Sequence, residues 1–396
     1  MEKPLMASYS RLPVAFSHGQ GAWLWDQEGK KYLDAISSIA VCGLGHAHEA
    51  VTYAICEQAG RLIHTSNLYR IPVQEQLAAR LTHLAGMDNA FFCNSGAEAN
   101  EAALKIARLY GHKQGIETPV VVVMEGSFHG RTLATLSATG NRKIQAGFEP
   151  LVQGFVRTPY NDLKALAKVA RDCPGIAAVL LEPVQGEGGV VVPAPGYLTG
   201  VRELCDRHGW LLMLDEVQTG LGRTGKWFAC QHEGVAPEVM TLAKALGNGV
   251  PIGACLARGG AAELIQPGQH ASTFGGNPLA CRVALAVLDA LEGQGLVARA
   301  LALGGAMLRE LCALLANMEG VRDIRGKGLM IGIELNRPCG ALVEQALSTG
   351  ILVNVTAERV VRLLPPLILT DSEAQQIVEQ VAHLIAGFLR ASRGGQ

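Results

Sequence analysis

No apolar run in this 396-residue chain approaches the ~20 residues that a membrane-spanning helix needs. Charge is scarce as well: 17% of residues are charged and the formal net charge is -1, which leaves no field for nucleic acid or an anionic membrane. The ten cysteines stand singly with no Cys-x-x-Cys pair, so neither a zinc knuckle nor a disulfide ladder is expected. They read as small buried residues of a reducing compartment. The opening MEKPLMASYSRLPVAF lacks the charged-then-apolar design of a secretion signal, and neither an internal repeat nor a low-complexity tract interrupts the chain. A cytoplasmic protein is the expectation.

What the chain has is apolar and turn-forming residues, 49% hydrophobic with 47 glycines. That balance suits a parallel-sheet α/β protein with both sheet faces covered. The strand-like runs NAFFCN (89–94), VVVVM (120–124), AAVLLEPV (177–184) and WLLMLDE (210–216) alternate with helix-like segments, the rhythm of a doubly wound fold. Around Gly293 the texture changes to Leu/Ala-rich helix, followed by GLMIGIEL and VVRLLPPLIL, which read as strands of a smaller α+β unit. Thr370 and Glu373 make a capping box for a last helix whose apolar face is Ala374, Ile377, Val378, Val381, Ile385 and Phe388. The expected division is residues 1–45 as an N-terminal part of a small domain, 46–289 as a large cofactor-binding domain, and 290–396 as the rest of the small domain.

Lys244 carries the most chemistry. It follows the strand-like stretch Val239 to Leu242 in TLAKALGNGVPIG, about one crossover unit after the strand ending in Asp215. A lysine amine can form an imine with pyridoxal phosphate, and a fixed carboxylate can keep the pyridine nitrogen protonated. At ~4 Å and an effective dielectric near 20 that carboxylate is worth about 4 kcal/mol, roughly three pKa units. The amine released by an incoming substrate is then the natural base for the proton that must move. After NAFFCN, Ser95 and Glu98 form a second capping box, and the helix opening at Gly96 and Ala97 offers free N–H groups and a dipole to a phosphate. Ser272 and Thr273, in STFGGNPLA, are a further candidate phosphate contact in a polar turn.

Two motifs point elsewhere. GLGRTG (220–225) satisfies the dinucleotide pattern and nearly a P-loop, but no amphipathic helix follows, and Trp227 stands where Ser or Thr must hold magnesium. His46 and His48 lack a clear third ligand, so no metal is expected.

In order along the chain, GLGHAH, HTSNLY, NSGAEANEAALK, SFHGRT, LLEPVQGEGG, LDEVQTGLGRTG, TLAKALGNGVPIG, STFGGNPLA and VVRLLPPL resemble the class III, or ω-amino acid, aminotransferases of fold type I. The likeness covers nearly the whole length. It implies an α/β large domain with a mostly parallel mixed sheet between helices, and a smaller α+β domain. IAVCGLGH, HTSNLYRIP and GFEPLVQGF followed by TPYND are similar to members that take N-acetylornithine as amino donor and 2-oxoglutarate as acceptor, in arginine biosynthesis. Succinylornithine, ornithine, 4-aminobutyrate and succinyldiaminopimelate are the alternative donors, and a nucleotide-dependent oxidoreductase is a remote one.

The resemblance implies roles residue by residue. Lys244 would be the Schiff-base lysine and Asp215 the partner of the pyridine nitrogen. Gln218 would bond the ring hydroxyl, with Glu216 and Val217 beside it, and Phe128 would stack on the ring. Ser95, Gly96 and Ala97 would bind the phosphate, joined by Thr273 from a second subunit, which implies a homodimer with shared sites. Arg131 would take a substrate carboxylate, with Ser272 nearby. Arg362 would bind the α-carboxylate of glutamate or 2-oxoglutarate, and Glu187 would cover that arginine when the ω-amine substrate, which has no carboxylate beside its reacting carbon, is bound.

Overall fold

The computed structural model describes residues 4–391. Its centre is a seven-stranded sheet in the order Asn89–Cys93, Gly253–Ala257, Val239–Leu242, Leu211–Asp215, Ile176–Leu181, Val120–Met124, Phe155–Thr158. Gly253–Ala257 runs antiparallel to both neighbours and the other adjacent pairs are parallel, so the sheet is mixed and mostly parallel as expected. The continuous apolar runs exist because both faces are covered. Within Val120–Met124, Val121 and Val123 pack into one core cluster while Val122 and Met124 enter the other. Leu211 and Met213 divide from Leu212 and Leu214 in the same way, the period of two that strand geometry imposes.

Helix Gly96–Lys113 lies on one face through Ala102, Ala103, Ile106 and Ala107. Its start differs in detail from the expected capping box. Ser95 Oγ accepts from Glu98 N at 3.2 Å, but the Glu98 carboxylate reaches back to the N–H of Asn94 at 2.9 Å instead of that of Ser95.

Two four-stranded sheets flank the centre. One comprises Phe16–Gln20, Trp23–Asp26, Lys31–Asp34 and Ile351–Leu352, the last pairing parallel with Lys31–Asp34 across some 300 residues of chain. The other has the order Val321–Lys327, Met330–Leu335, Val360–Leu363, Asn354–Thr356. The strand expected over VVRLLPPLIL stops at Leu363, because Pro365 and Pro366 have no N–H to give a ladder. Helix Asp371–Ala391 starts as read from the sequence: Thr370 Oγ1 accepts from Glu373 N and Glu373 accepts from Thr370 N. Glu373 also takes the Trp23 Nε1–H at 2.6 Å, which ties this helix to the first flanking sheet. Of its apolar face only Phe388 is merely half-buried.

The two motifs that pointed elsewhere have the following surroundings. Residues 220–225 are turns followed by the short 3-10 segment Ala229–His232, so the glycines open no helix for a dinucleotide phosphate. Arg223 is buried and donates to the carbonyls of Leu329 and Pro365 and, at 3.3 Å, to Ser37 Oγ. His46 bonds Asp34 at 2.8 Å, and among the described residues no group of His, Cys, Asp and Glu could hold a metal ion.

Because each carbonyl stranded in a dry interior costs roughly 1–3 kcal/mol, Arg223→Ala is expected to lower unfolding stability by about 3 kcal/mol or more. A urea melt giving a loss under ~1 kcal/mol would mean that water replaces the guanidinium there.

Candidate active site

The parallel strands of the central sheet end along one edge, where chains of this topology hold ligands. Ser95 follows Cys93, Glu182 follows Leu181, Asp215 ends its own strand, and Lys244 lies two residues beyond Leu242. A cavity of about 390 Å³ opens there, lined by Ser95, Gly96, Ala97, Phe128, Arg131, Asp215, Val217, Gln218 and Lys244 among others. Nine of the expected site residues, separated by up to about 150 positions in the chain, thus share one wall.

Asp215 is 4% exposed. One carboxylate oxygen takes His129 Nδ1 at 2.8 Å and Asn100 Nδ2 at 2.7 Å, and the other takes the N–H of Val217 at 3.1 Å. Asn100 is held in turn by Thr241 Oγ1 at 2.7 Å. A carboxylate fixed this firmly cannot turn away from a cation placed in the cavity. Lys244 has φ of 46°, a left-handed backbone that side-chain-bearing residues adopt only when their surroundings compel it. Burial pulls its amine below the ordinary lysine range, with Arg362 adding to the fall, while Glu187 and Asp215 oppose it.

Gly96 and Ala97 present the unsatisfied donors that a helix start leaves, and they face the cavity. Phe128 lies with the Arg131 guanidinium 5.8 Å from its ring centre. Both residues also border an adjoining cavity of about 630 Å³ that includes Glu187 and Thr356.

Arg362 is buried with four acceptor contacts. Glu187 Oε1 at 2.7 Å and Gln218 Oε1 at 3.2 Å take Nη1, while Asn354 Oδ1 takes Nη2 at 2.7 Å and Nε at 3.2 Å. Burial pushes the Glu187 carboxyl up, but Arg362, Lys244 and Gln218 together outweigh it and the net direction is downward.

Three expected residues lie elsewhere. Glu216 follows Asp215 in the chain but its side chain emerges on the opposite side, where its carboxylate accepts from Ala229 N, Cys230 N and Thr219 Oγ1. Thr273 is exposed and outside its own chain's cavity. Ser272 is not among the residues that line the cavity, but Asn94, which is, donates through Nδ2 to Ser272 Oγ at 3.2 Å.

The sequence reading missed His129, Asn100, Glu182 and Asn354. The polar Asn100 on the core face of a helix was the one available signal. Glu182 lines the cavity at 5% exposure and accepts the N–H groups of Phe128 and Gly186, each at 3.1 Å. Burial raises its carboxyl from 4.5 to about 7, against the opposing pull of His129.

Residues 5–385 match the class-III aminotransferase family model. The chain is 62% identical to an acetylornithine aminotransferase of Nitrosomonas europaea, with 98% of each chain covered, and 48% identical to that of Methanothermobacter thermautotrophicus over 97% of each. Among solved structures it resembles the ornithine aminotransferase of Toxoplasma gondii (TM-score 0.94, 36% identity, 98% of this chain and 94% of that one). It also resembles the acetylornithine aminotransferase of Elizabethkingia anophelis (0.86, 37%, 96% and 95%).

The fold favours the protonated Glu182, so its contribution to stability is complete below pH 4.5 and is lost as pH rises through about 7. The stability difference between the parent and Glu182→Gln is therefore expected to change by about 3 kcal/mol between pH 4.5 and 7.5. Urea melts across that range giving a constant difference would show that Glu182 ionises as freely in the fold as in water.

Proposed function

The chain belongs to the class-III aminotransferase family, and on that premise we propose that it moves the ω-amino group of N-acetylornithine to 2-oxoglutarate, giving N-acetylglutamate semialdehyde and glutamate. The observation that carries this reading is the Arg362–Glu187 pair beside Lys244, a cation with its own removable cover. Such a device suits a pocket that must accept an α-carboxylate in one half-reaction and an uncharged carbon chain in the other.

The cofactor is pyridoxal phosphate, which when bound supplies the electron sink that acidifies the hydrogen on the amine-bearing carbon and carries the amino group between substrates. The residues present fit it: unsatisfied amides at Gly96 and Ala97, a buried and fully braced carboxylate at Asp215, and an amine on a strained turn at Lys244. In the proposed mechanism Asp215 would keep the pyridine nitrogen protonated and Phe128 would pack on the ring face. Lys244 would hold the cofactor through its amine, and that amine, when free, would move the proton at the reacting carbon. Gln218 bonds the ring hydroxyl, and Arg131 binds the distal carboxylate of acetylornithine.

Arg362 and Glu187 act in alternation. The Arg362 side chain is 1% exposed and that of Glu187 35%, so the carboxylate is the partner that moves. Glutamate or 2-oxoglutarate displaces it. With acetylornithine bound it stays and spares the arginine an unpaired, desolvated charge.

We further assign the protein to a cytoplasmic homodimer with shared sites, serving arginine biosynthesis. Supporting the dimer, Leu68, Tyr69 and Phe274 are large exposed apolar residues, and Asn67 bonds the carbonyls of Ser272 and Gly275, which gathers them beside Thr273.

Borohydride reduction and peptide mapping of the purified protein should place the pyridoxyl label on Lys244, and Lys244→Ala should lose transamination. Label on any other lysine would overturn the assignment. Measured by stopped flow, Arg362→Ala should slow the glutamate half-reaction at least ~10-fold more than the acetylornithine one, and Glu187→Ala should do the reverse, since a charged hydrogen bond is worth roughly 1.5–3 kcal/mol. Equal losses for both substrates in both variants would leave only a structural ion pair.

A further inference from the structure

Arg362 lies in the strand Val360–Leu363, and its antiparallel partner across the hairpin is Asn354. The chain reverses through Ala357, Glu358 and Arg359, with Ala357 and Glu358 at φ of 47° and 65°. Glu358 is tied by an ion pair to Lys143, and the Thr356 hydroxyl donates to the Glu187 carbonyl at 2.5 Å. A short loop sets the register of its strands, and register decides which side chains meet. Here it places a carboxamide opposite the one arginine that must serve two substrates.

A guanidinium has five N–H groups in a rigid plane. Asn354 Oδ1 takes one from Nε and one from Nη2, while Glu187 and Gln218 each take one from Nη1. One N–H remains on Nη2. When Glu187 departs, Nη1 and Nη2 each offer a hydrogen, the adjacent pair that a carboxylate accepts in fork geometry. The amide does this without charge. It orients the cation and leaves its full attraction for whichever anion arrives, whereas a carboxylate at 354 would neutralise the arginine permanently.

We propose that Asn354 is a positioning residue that fixes which edge of Arg362 faces the substrate and, because it is neutral, sets the preference between α-carboxylate and ω-amine substrates. The proposal rests on the role assigned above to Arg362, and the two are separable by experiment. Asn354→Asp keeps the shape and the double acceptance and adds a negative charge. Asn354→Ala removes the grip and guards against a single misbehaving variant. Rapid mixing on the holoenzyme yields an apparent Kd and a limiting rate for each substrate in these variants, in Arg362→Ala, and in Glu187→Ala made with and without Asn354→Asp.

Asn354→Asp should weaken glutamate and 2-oxoglutarate by ~10-fold or more relative to acetylornithine, chiefly in apparent Kd. Asn354→Ala should shift the ratio in the same direction. In the Asn354→Asp background, Glu187→Ala should no longer penalise acetylornithine, because Arg362 remains covered. Loss of that penalty is a coupling that a packing role would not produce. If both Asn354 variants change all substrates by one factor while Arg362→Ala discriminates among them, the proposal fails and the role of Arg362 stands. If Arg362→Ala does not discriminate either, both fall.

Discussion

A carboxylate buried at the end of a parallel strand is the fixed point of this molecule. Asp215 is surrounded by hydrophobic strands and would be costly there unless its oxygens were satisfied. His129, Asn100 and the Val217 amide satisfy them, and each comes from a different part of the chain. Holding that one charge therefore requires the loop after Val120–Met124, the helix from Gly96 and the turn after the strand itself to converge on one edge of the sheet. The same convergence brings in the amides of Gly96 and Ala97, the ring of Phe128 and the amine of Lys244.

The second charge in the site is handled by the opposite strategy. Asp215 is held by neighbours that are themselves buried, whereas Arg362 is held by Asn354 and Gln218 and paired with the more exposed Glu187. Bringing Glu187 to it demands a close approach of the preceding loop to Gln218. A Cβ at Gly186 would lie 2.1 Å from Gln218 Oε1, so any other residue there would push the Gln218 amide from its place. Glu182 accepts the Gly186 N–H at the base of this loop and the Phe128 N–H, so one side chain ties the loop to the segment that carries the aromatic ring.

Much of this was legible in the sequence, and the reasons differ by feature. The buried strands were readable because two covered faces leave no polar positions, and both helix starts at Ser95 and Thr370 because capping is local chemistry. The antiparallel strand Gly253–Ala257 and the pairing of Ile351–Leu352 with Lys31–Asp34 carry no local mark, since partner choice and direction are settled by tertiary contact. Asp215 stood out by ending an apolar run, but His129 and Asn354 are ordinary polar residues whose meaning comes from what lies opposite them. Glu216 shows the converse. Its place beside Asp215 put it among the expected cofactor contacts, while the two-residue alternation of an extended chain sends its carboxylate into a cap for Ala229 and Cys230.

If Asp215 acts on the cofactor ring and not on either substrate, its charge must matter equally in both directions of amino transfer. Single-turnover rates of Asp215→Asn with N-acetylornithine and with glutamate test this most directly, because the amide keeps the shape and one accepting oxygen while removing the charge. Both rates should fall by similar large factors, on the order of 1,000-fold if the about 4 kcal/mol assigned to the pairing is lost in full. An undiminished rate with either substrate would contradict the account.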